Sequence, residues 1–429
     1  MIRRLVVLAL LVGGAVLLEP LRVPTEGVIA PRSLFLFGIL LLTADTFGAL
    51  AHDLRLPRLV GYLVAGLALG PSLTGIVPAG VLDDLQMMKR LAIGLIGLLA
   101  GAELRLADLR LRHRAILWIL SLQVACVLLG LWGATLVAHR WVPFLDGLEA
   151  APLVFVALLF ATTLTVNSPM VTLALLTETR AEGPLAKTTL GVVLVADVVV
   201  ILLFTAAFSF AQSSLGTSAG APDILYYLLR EVLGSILAGV LVGGILSLYL
   251  RFVKRELVVF AVIVVFATAG AAQALGFELL LSLLVAGFFV ENVAPVRAEP
   301  LVEVLHQMAV PVFVIFFAIT GAELHVDAFI ALWRVVLGVA LVRMVMIMLG
   351  SRAGARIGGA EPAVVRNVWT GLVSQAGVAL GLATVVADRL PGIGAAMQVL
   401  IVGVIAFNES VGSVLFRRGL ERAGEVVVS

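Results

Sequence analysis

The run Leu190-Gly-Val-Val-Leu-Val-Ala-Asp197-Val-Val-Val-Ile-Leu-Leu-Phe204 decides how the rest of the chain is read. No other charge lies between Lys187 and Asp223, so the segment is long enough and apolar enough to cross about 30 Å of hydrocarbon as a helix. A carboxylate at the middle of such a helix costs about 2.5 to 3.5 kcal/mol even on lenient insertion scales, which marks Asp197 as paired or functional. Its alternative is a protonated structural aspartate packed between helices.

The rest of the chain has the same character. It is 429 residues long, 62% hydrophobic and 13% charged, against roughly 45 to 50% and about 25% in soluble domains. Apolar stretches of about 18 to 24 residues alternate with short charged clusters. An outer-membrane barrel would alternate at period two over ~10-residue segments, and that pattern is absent. The predicted class is all-α, polytopic and membrane-embedded. Thirteen spans are expected, near 33–51, 57–77, 90–104, 114–138, 152–177, 185–211, 224–250, 256–274, 276–292, 304–322, 329–350, 367–387 and 393–416. Before them, residues 1–32 hold a short apolar run after Arg3 and Arg4 that reads as a signal peptide or an extra helix. Residues 33–424 form the membrane domain, with one repeat near 33–211, a linker helix near 224–250, a second repeat near 256–416, and a short tail at 425–429.

Twenty of the 29 Lys and Arg residues fall on one side of these spans and eight on the other, with Arg343 in between. The richer side, which holds the C-terminus, is expected to be cytoplasmic. Cys126 is the single cysteine, so an intramolecular disulfide is excluded and no cysteine-based metal site is readable. A net charge of +2 gives no basis for nucleic-acid binding, and no phosphate-binding glycine loop is present. No enzymatic activity and no cofactor are expected.

Gly101-Ala-Glu-Leu104 recurs as Gly321-Ala-Glu-Leu324, each at a span end, and on the span count the two emerge on opposite sides. Inverted repeats of this kind are a feature of secondary transporters. Thr162-Thr-Leu-Thr165-Val-Asn167-Ser168-Pro169 interrupts one span, because proline lacks a donor and disfavours helix at the residue before it. Gly371-Leu-Val-Ser374-Gln375-Ala-Gly377 interrupts a span of the second half. Paired breaks point to a binding site, and the freed carbonyls with Thr165, Asn167, Ser168, Ser374, Gln375 and Asp197 offer hard oxygens to a small monovalent cation. Arg343 marks the middle of its span and needs a carboxylate or water; Asp197 and Glu409 are the candidate partners, and Gln123 is its repeat mate. Asp45 and Glu409 are secondary candidates, Asp45 facing a cavity and Glu409 pairing locally with Arg417. His52, His113, His139, His306 and His325 map to span ends or loops.

These residues resemble the monovalent cation:proton antiporters, the family of bacterial sodium/proton and gated potassium/proton exchangers. The carriers are Leu56-Pro-Arg-Leu-Val-Gly-Tyr-Leu-Val-Ala-Gly66 with Gly70-Pro71, the two Gly-Ala-Glu-Leu ends, Thr165-Val-Asn-Ser-Pro169, Asp197 and Ser374-Gln-Ala-Gly-Val-Ala-Leu-Gly381. The resemblance implies two six-helix inverted repeats, a dimerising panel, a mobile core with two crossing unwound helices, an essential aspartate at Asp197 and its basic counterpart at Arg343. It also implies a homodimer in the bacterial inner membrane, in contact with lipid, with a monovalent cation and a proton as further partners. The chain departs from the family at Ala196, where members usually carry Asn, Asp or Gln. One carboxylate implies electroneutral exchange of one Na+ or K+ for one proton. The competing expectations are a sodium-coupled symporter of an organic anion, and a transport-inactive sensor or channel.

Overall fold

The computed structural model describes residues 31–426 apart from 55, 143, 217–220, 254–255, 325, 376 and 391. The N-terminal apolar run, His325 and residues 427–429 thus lie outside the described residues. Within them the chain is helical, with no strand. The helices are α1 (Pro31–Asp53), α2 (Arg58–Leu69), α3 (Ala79–Asp84), α4 (Gln86–Glu103), α5 (Leu106–Val137), α6 (Ala150–Thr163), α7 (Pro169–Thr179), α8 (Pro184–Ser214), α9 (Ala221–Phe252), α10 (Leu257–Leu275), α11 (Leu279–Asn292), α12 (Glu299–Ala322), α13 (Val326–Ile357), α14 (Pro362–Gly371), α15 (Gly377–Arg389) and α16 (Gly394–Ala423).

Each of the thirteen expected spans coincides with one of these helices or with a broken pair, α6–α7 or α14–α15, while α3 is a short extra turn. Eight described helices are individually long and apolar enough to cross a membrane. Such a chain is a multi-pass membrane protein, since in hydrocarbon a helix satisfies its own backbone. The boundaries shift for local reasons. α2 stops at Leu69, well short of 77, because Gly70 turns extended (φ −70°, ψ 172°) ahead of Pro71. α5 begins at Leu106 rather than 114, its charged first two turns extending the apolar span.

The chain divides into two compact units, each drawing on both halves of the sequence: Met1–Glu103 with Ser235–Val326, and Leu104–Gly234 with Asp327–Ser429. In the first unit glycines set the crossings. A Cβ on Gly66 would lie 2.1 Å from Ala318 O, and one on Gly101 would lie 1.9 Å from Leu284 O, so α2 meets α12 and α4 meets α11 backbone to backbone. The Gly-Ala-Glu-Leu copies end α4 and α12. Glu103 pairs with His306 at 2.8 Å near the start of α12, and Glu323 pairs with Lys89 near the start of α4 while accepting from Gln86 at 2.8 Å.

In the second unit, α13 lies on α5 along Gly350, Gly354 and Gly358. A Cβ on these glycines would lie 2.5 Å from Leu122 O, 2.4 Å from Trp118 O and 2.6 Å from Ala115 Cα. Arg343 stands two turns before Gly350 and falls on the same buried face. The glycine stripe therefore fixes where the arginine points.

Candidate ion-binding site

The two breaks belong to the second unit and cross each other. α6 ends at Thr163 and α7 restarts at Pro169, whose missing N–H is harmless at the first helical position. Ser168 caps α7, its Oγ accepting from Val171 N at 3.2 Å. α14 ends at Gly371 and α15 restarts at Gly377. Ser168 N donates to Ser374 O at 2.9 Å, tying one unwound segment directly to the other.

Arg343 pins the crossing. It is fully buried, and its Nε donates to Leu164 O at 2.7 Å, Nη2 to Val166 O at 2.8 Å and to Asn167 Oδ1 at 3.4 Å, and Nη1 to Val373 O at 2.5 Å. The planar fork of a guanidinium suits this work, reaching several fixed acceptors at once where an ammonium would act as a point charge. Gln375 Nε2 adds a second donor to Leu164 O at 3.0 Å, and Gln375 Oε1 accepts from Asn408 Nδ2 at 2.8 Å. Asn167 Nδ2 reaches Gln123 Oε1 at 3.5 Å.

The site candidates divide accordingly. Thr165, Asn167, Ser168, Ser374 and Gln375 are all buried at the two breaks. The carbonyls of Leu164, Val166 and Val373, expected to face a cation, are engaged by Arg343, and the Thr165 hydroxyl donates to Ala161 O at 2.9 Å. Ser374 Oγ is buried with no hydrogen-bond partner among the described residues. Asp197 is half-buried on α8, beside the buried Ala196, and α8 packs on α6, α7 and α14 of the broken pairs. Asp45 lies in the first unit and is exposed. Glu409 is 1% exposed on α16, while Arg417 reaches Glu178 at 3.7 Å and Glu421 at 3.2 Å. Asn408 escaped the sequence reading as a site residue. Its only signal was an amide on an apolar helix next to a carboxylate.

The comparisons with known proteins agree with this architecture. Residues 38–418 match the family model described as sodium/hydrogen exchanger, transmembrane. The Na(+)/H(+)-K(+) antiporter GerN of Bacillus cereus is 25% identical over 363 residues, covering 81% of this chain and 86% of GerN. The probable Na(+)/H(+) antiporter GerT of the same organism is 24% identical over 356 residues, 80% of this chain and 88% of GerT. Both relatives are transporters, not enzymes. Among solved structures, two of the sodium proton antiporter MjNhaP1 from Methanocaldococcus jannaschii share the fold at 16% identity. Their TM-scores are 0.62 and 0.67, covering 91% and 92% of this chain and 96% and 99% of theirs. With most of its length inside the family match, the chain belongs to the sodium/hydrogen exchanger family, whose members exchange cations for protons.

Proposed function

We propose that this protein is a secondary-active antiporter that exchanges a monovalent cation, Na+ or K+, for a proton, with Asp197 as the group both ions compete for. The observation that carries the reading is the crossing of two unwound helices, pinned by a buried arginine, on elements that pack against the helix of Asp197. Broken helices at membrane depth persist only where protein or a water-filled cavity receives their backbone. Here the arginine receives it, and Ser374 Oγ, buried with no hydrogen-bond partner among the described residues, stands at the same crossing. One carboxylate that is neutral with either ion bound gives one-for-one, electroneutral exchange by alternating access.

The halves read as an inverted repeat. Gly66 and Gly287 stand 221 residues apart, and Gly101 and Gly321 stand 220 apart. Gly66 crosses at Ala318 and Gly321 at Leu63, and likewise Gly101 crosses at Leu284 and Gly287 at Leu98, so the crossings repeat to within one residue of a common offset. The surroundings of this reading are a homodimer in the bacterial inner membrane with a cytoplasmic C-terminus. Proton flux in proteoliposomes, with Na+, K+ and Li+ supplied in turn, tests the function. Cation-driven proton movement in the absence of any organic substrate supports antiport. Sodium uptake that needs an organic anion and moves no proton would replace it with symport.

A further inference from the structure

Among the described residues, two charged side chains are buried: Arg343, fully, and Glu409, 1% exposed. They carry opposite signs and sit in the same unit. The hydrogen bonds of Arg343 go to neutral oxygens, three carbonyls and one amide. These bonds engage four of its five N–H donors, but neutral dipoles leave a net positive charge in a low-dielectric site, where an uncompensated ion is costly. Two carboxylates can supply the balance. If Asp197 did so permanently, each proton or cation it bound would leave Arg343 uncompensated in the loaded protein.

Glu409 is placed for the task. Asn408, the residue before it, donates to Gln375 Oε1, and Gln375 donates to the Leu164 carbonyl that also accepts from Arg343 Nε. Gly412, one turn further along α16, meets the second break so closely that a Cβ there would lie 2.4 Å from Ser374 Oγ. Glu409 therefore lies on the face of α16 that meets the crossing. The other charged groups on the elements packed against α16 are accounted for by position. α6 has none, and α7 carries Glu178, paired with Arg417. α14 carries Arg366, whose Nε donates to Pro362 O, and α15 has Asp388 and Arg389 in its last turn. α8 has Lys187 in its first turn and Asp197 at mid-helix, and α16 itself has Arg417, Arg418, Glu421 and Arg422 toward its end.

We propose that Glu409 is the fixed counter-charge of Arg343, ionised throughout the cycle, so that the site is neutral whenever Asp197 holds a proton or a cation. The proposal rests on the reading of Asp197 given above and makes Glu409 a positioning residue that acts through charge. Removing a negative charge that acts on Asp197 through a medium of effective dielectric about 20 weakens proton and cation binding there by up to roughly tenfold each.

The test compares the full chain with Glu409→Gln and Glu409→Asp. It reads the Na+ or Li+ concentration that half-saturates thermal stabilisation in detergent at alkaline pH, and the pH profile of proton flux. Glu409→Gln should raise half-saturation by up to roughly tenfold and move the profile by up to roughly one pH unit to the acid side, with Glu409→Asp close to the natural protein. Unchanged values in the glutamine variant overturn the proposal, and so does an equal loss in both variants. Should the glutamine variant not fold, infrared spectra of the natural protein saturated with cation decide. No protonated-carboxyl band is expected, and one that survives Asp197→Asn overturns the proposal. Failure of the Asp197 reading looks different, since Asp197→Asn would then exchange ions normally.

Discussion

Arg343→Ala is the substitution whose cost follows most directly from the structure. It removes the donors to Val166 O and Val373 O outright, while Leu164 O keeps the bond from Gln375. A buried acceptor stripped of its partner costs about 1 to 3 kcal/mol, so two of them come to about 2 to 6 kcal/mol. Losing a buried charge recovers part of a desolvation penalty, but the carbonyls stay buried and a cavity opens where the long side chain lay. Arg343→Lys keeps the charge and loses the fork, so it should fall between alanine and the natural residue. The assay is equilibrium unfolding in mixed micelles, paired with amide exchange at Ser168, whose N–H is bonded to Ser374 O across the crossing. Faster exchange at that amide together with the stability loss is the expected result. A variant within about 1 kcal/mol of the natural protein, with Ser168 still protected, would refute the role of the arginine as the pin of the crossing.

Other substitutions probe separate parts of the account. Gln375→Leu loses a donor to Leu164 O and the acceptor for Asn408, and should cost about 1 to 3 kcal/mol in the same unfolding assay. Gly350→Val places a Cβ 2.5 Å from Leu122 O and should destabilise by about 1 to 3 kcal/mol, whereas Gly38→Ala meets nothing within 4 Å and should be neutral or stabilising. Glu425→Gln weakens the carboxylate that accepts from Leu185 N at 2.6 Å and Ala186 N at 2.9 Å at the start of α8, and should cost at most about 1 kcal/mol, read as increased amide exchange in that first turn.

The spans were legible because apolar length is dictated by the membrane, and the breaks because proline and glycine act on their own neighbours. The end of α2 at Leu69 is less legible, because the apolar run continues past Gly70 and Pro71 while the backbone turns extended there. Arg343 was recognisable as a mid-membrane charge, but not its partners: backbone carbonyls of residues some 30 and 180 positions away leave no mark in the side-chain sequence. Expecting Glu409 to pair locally with Arg417 followed from their spacing along α16. Spacing along one helix does not convey that Arg417 also reaches Glu178 on α7. The two compact units were not legible as linear domains, because each is assembled from both halves of the chain.

Exchange by Asp197→Asn in proteoliposomes decides whether this carboxylate carries both ions. The variant keeps the size of the side chain and removes its ability to bind a proton or a cation as a charge. Cation-dependent proton movement should disappear with Na+, K+ and Li+ alike while the folded protein is recovered in normal yield. Undiminished exchange in that variant would contradict that role.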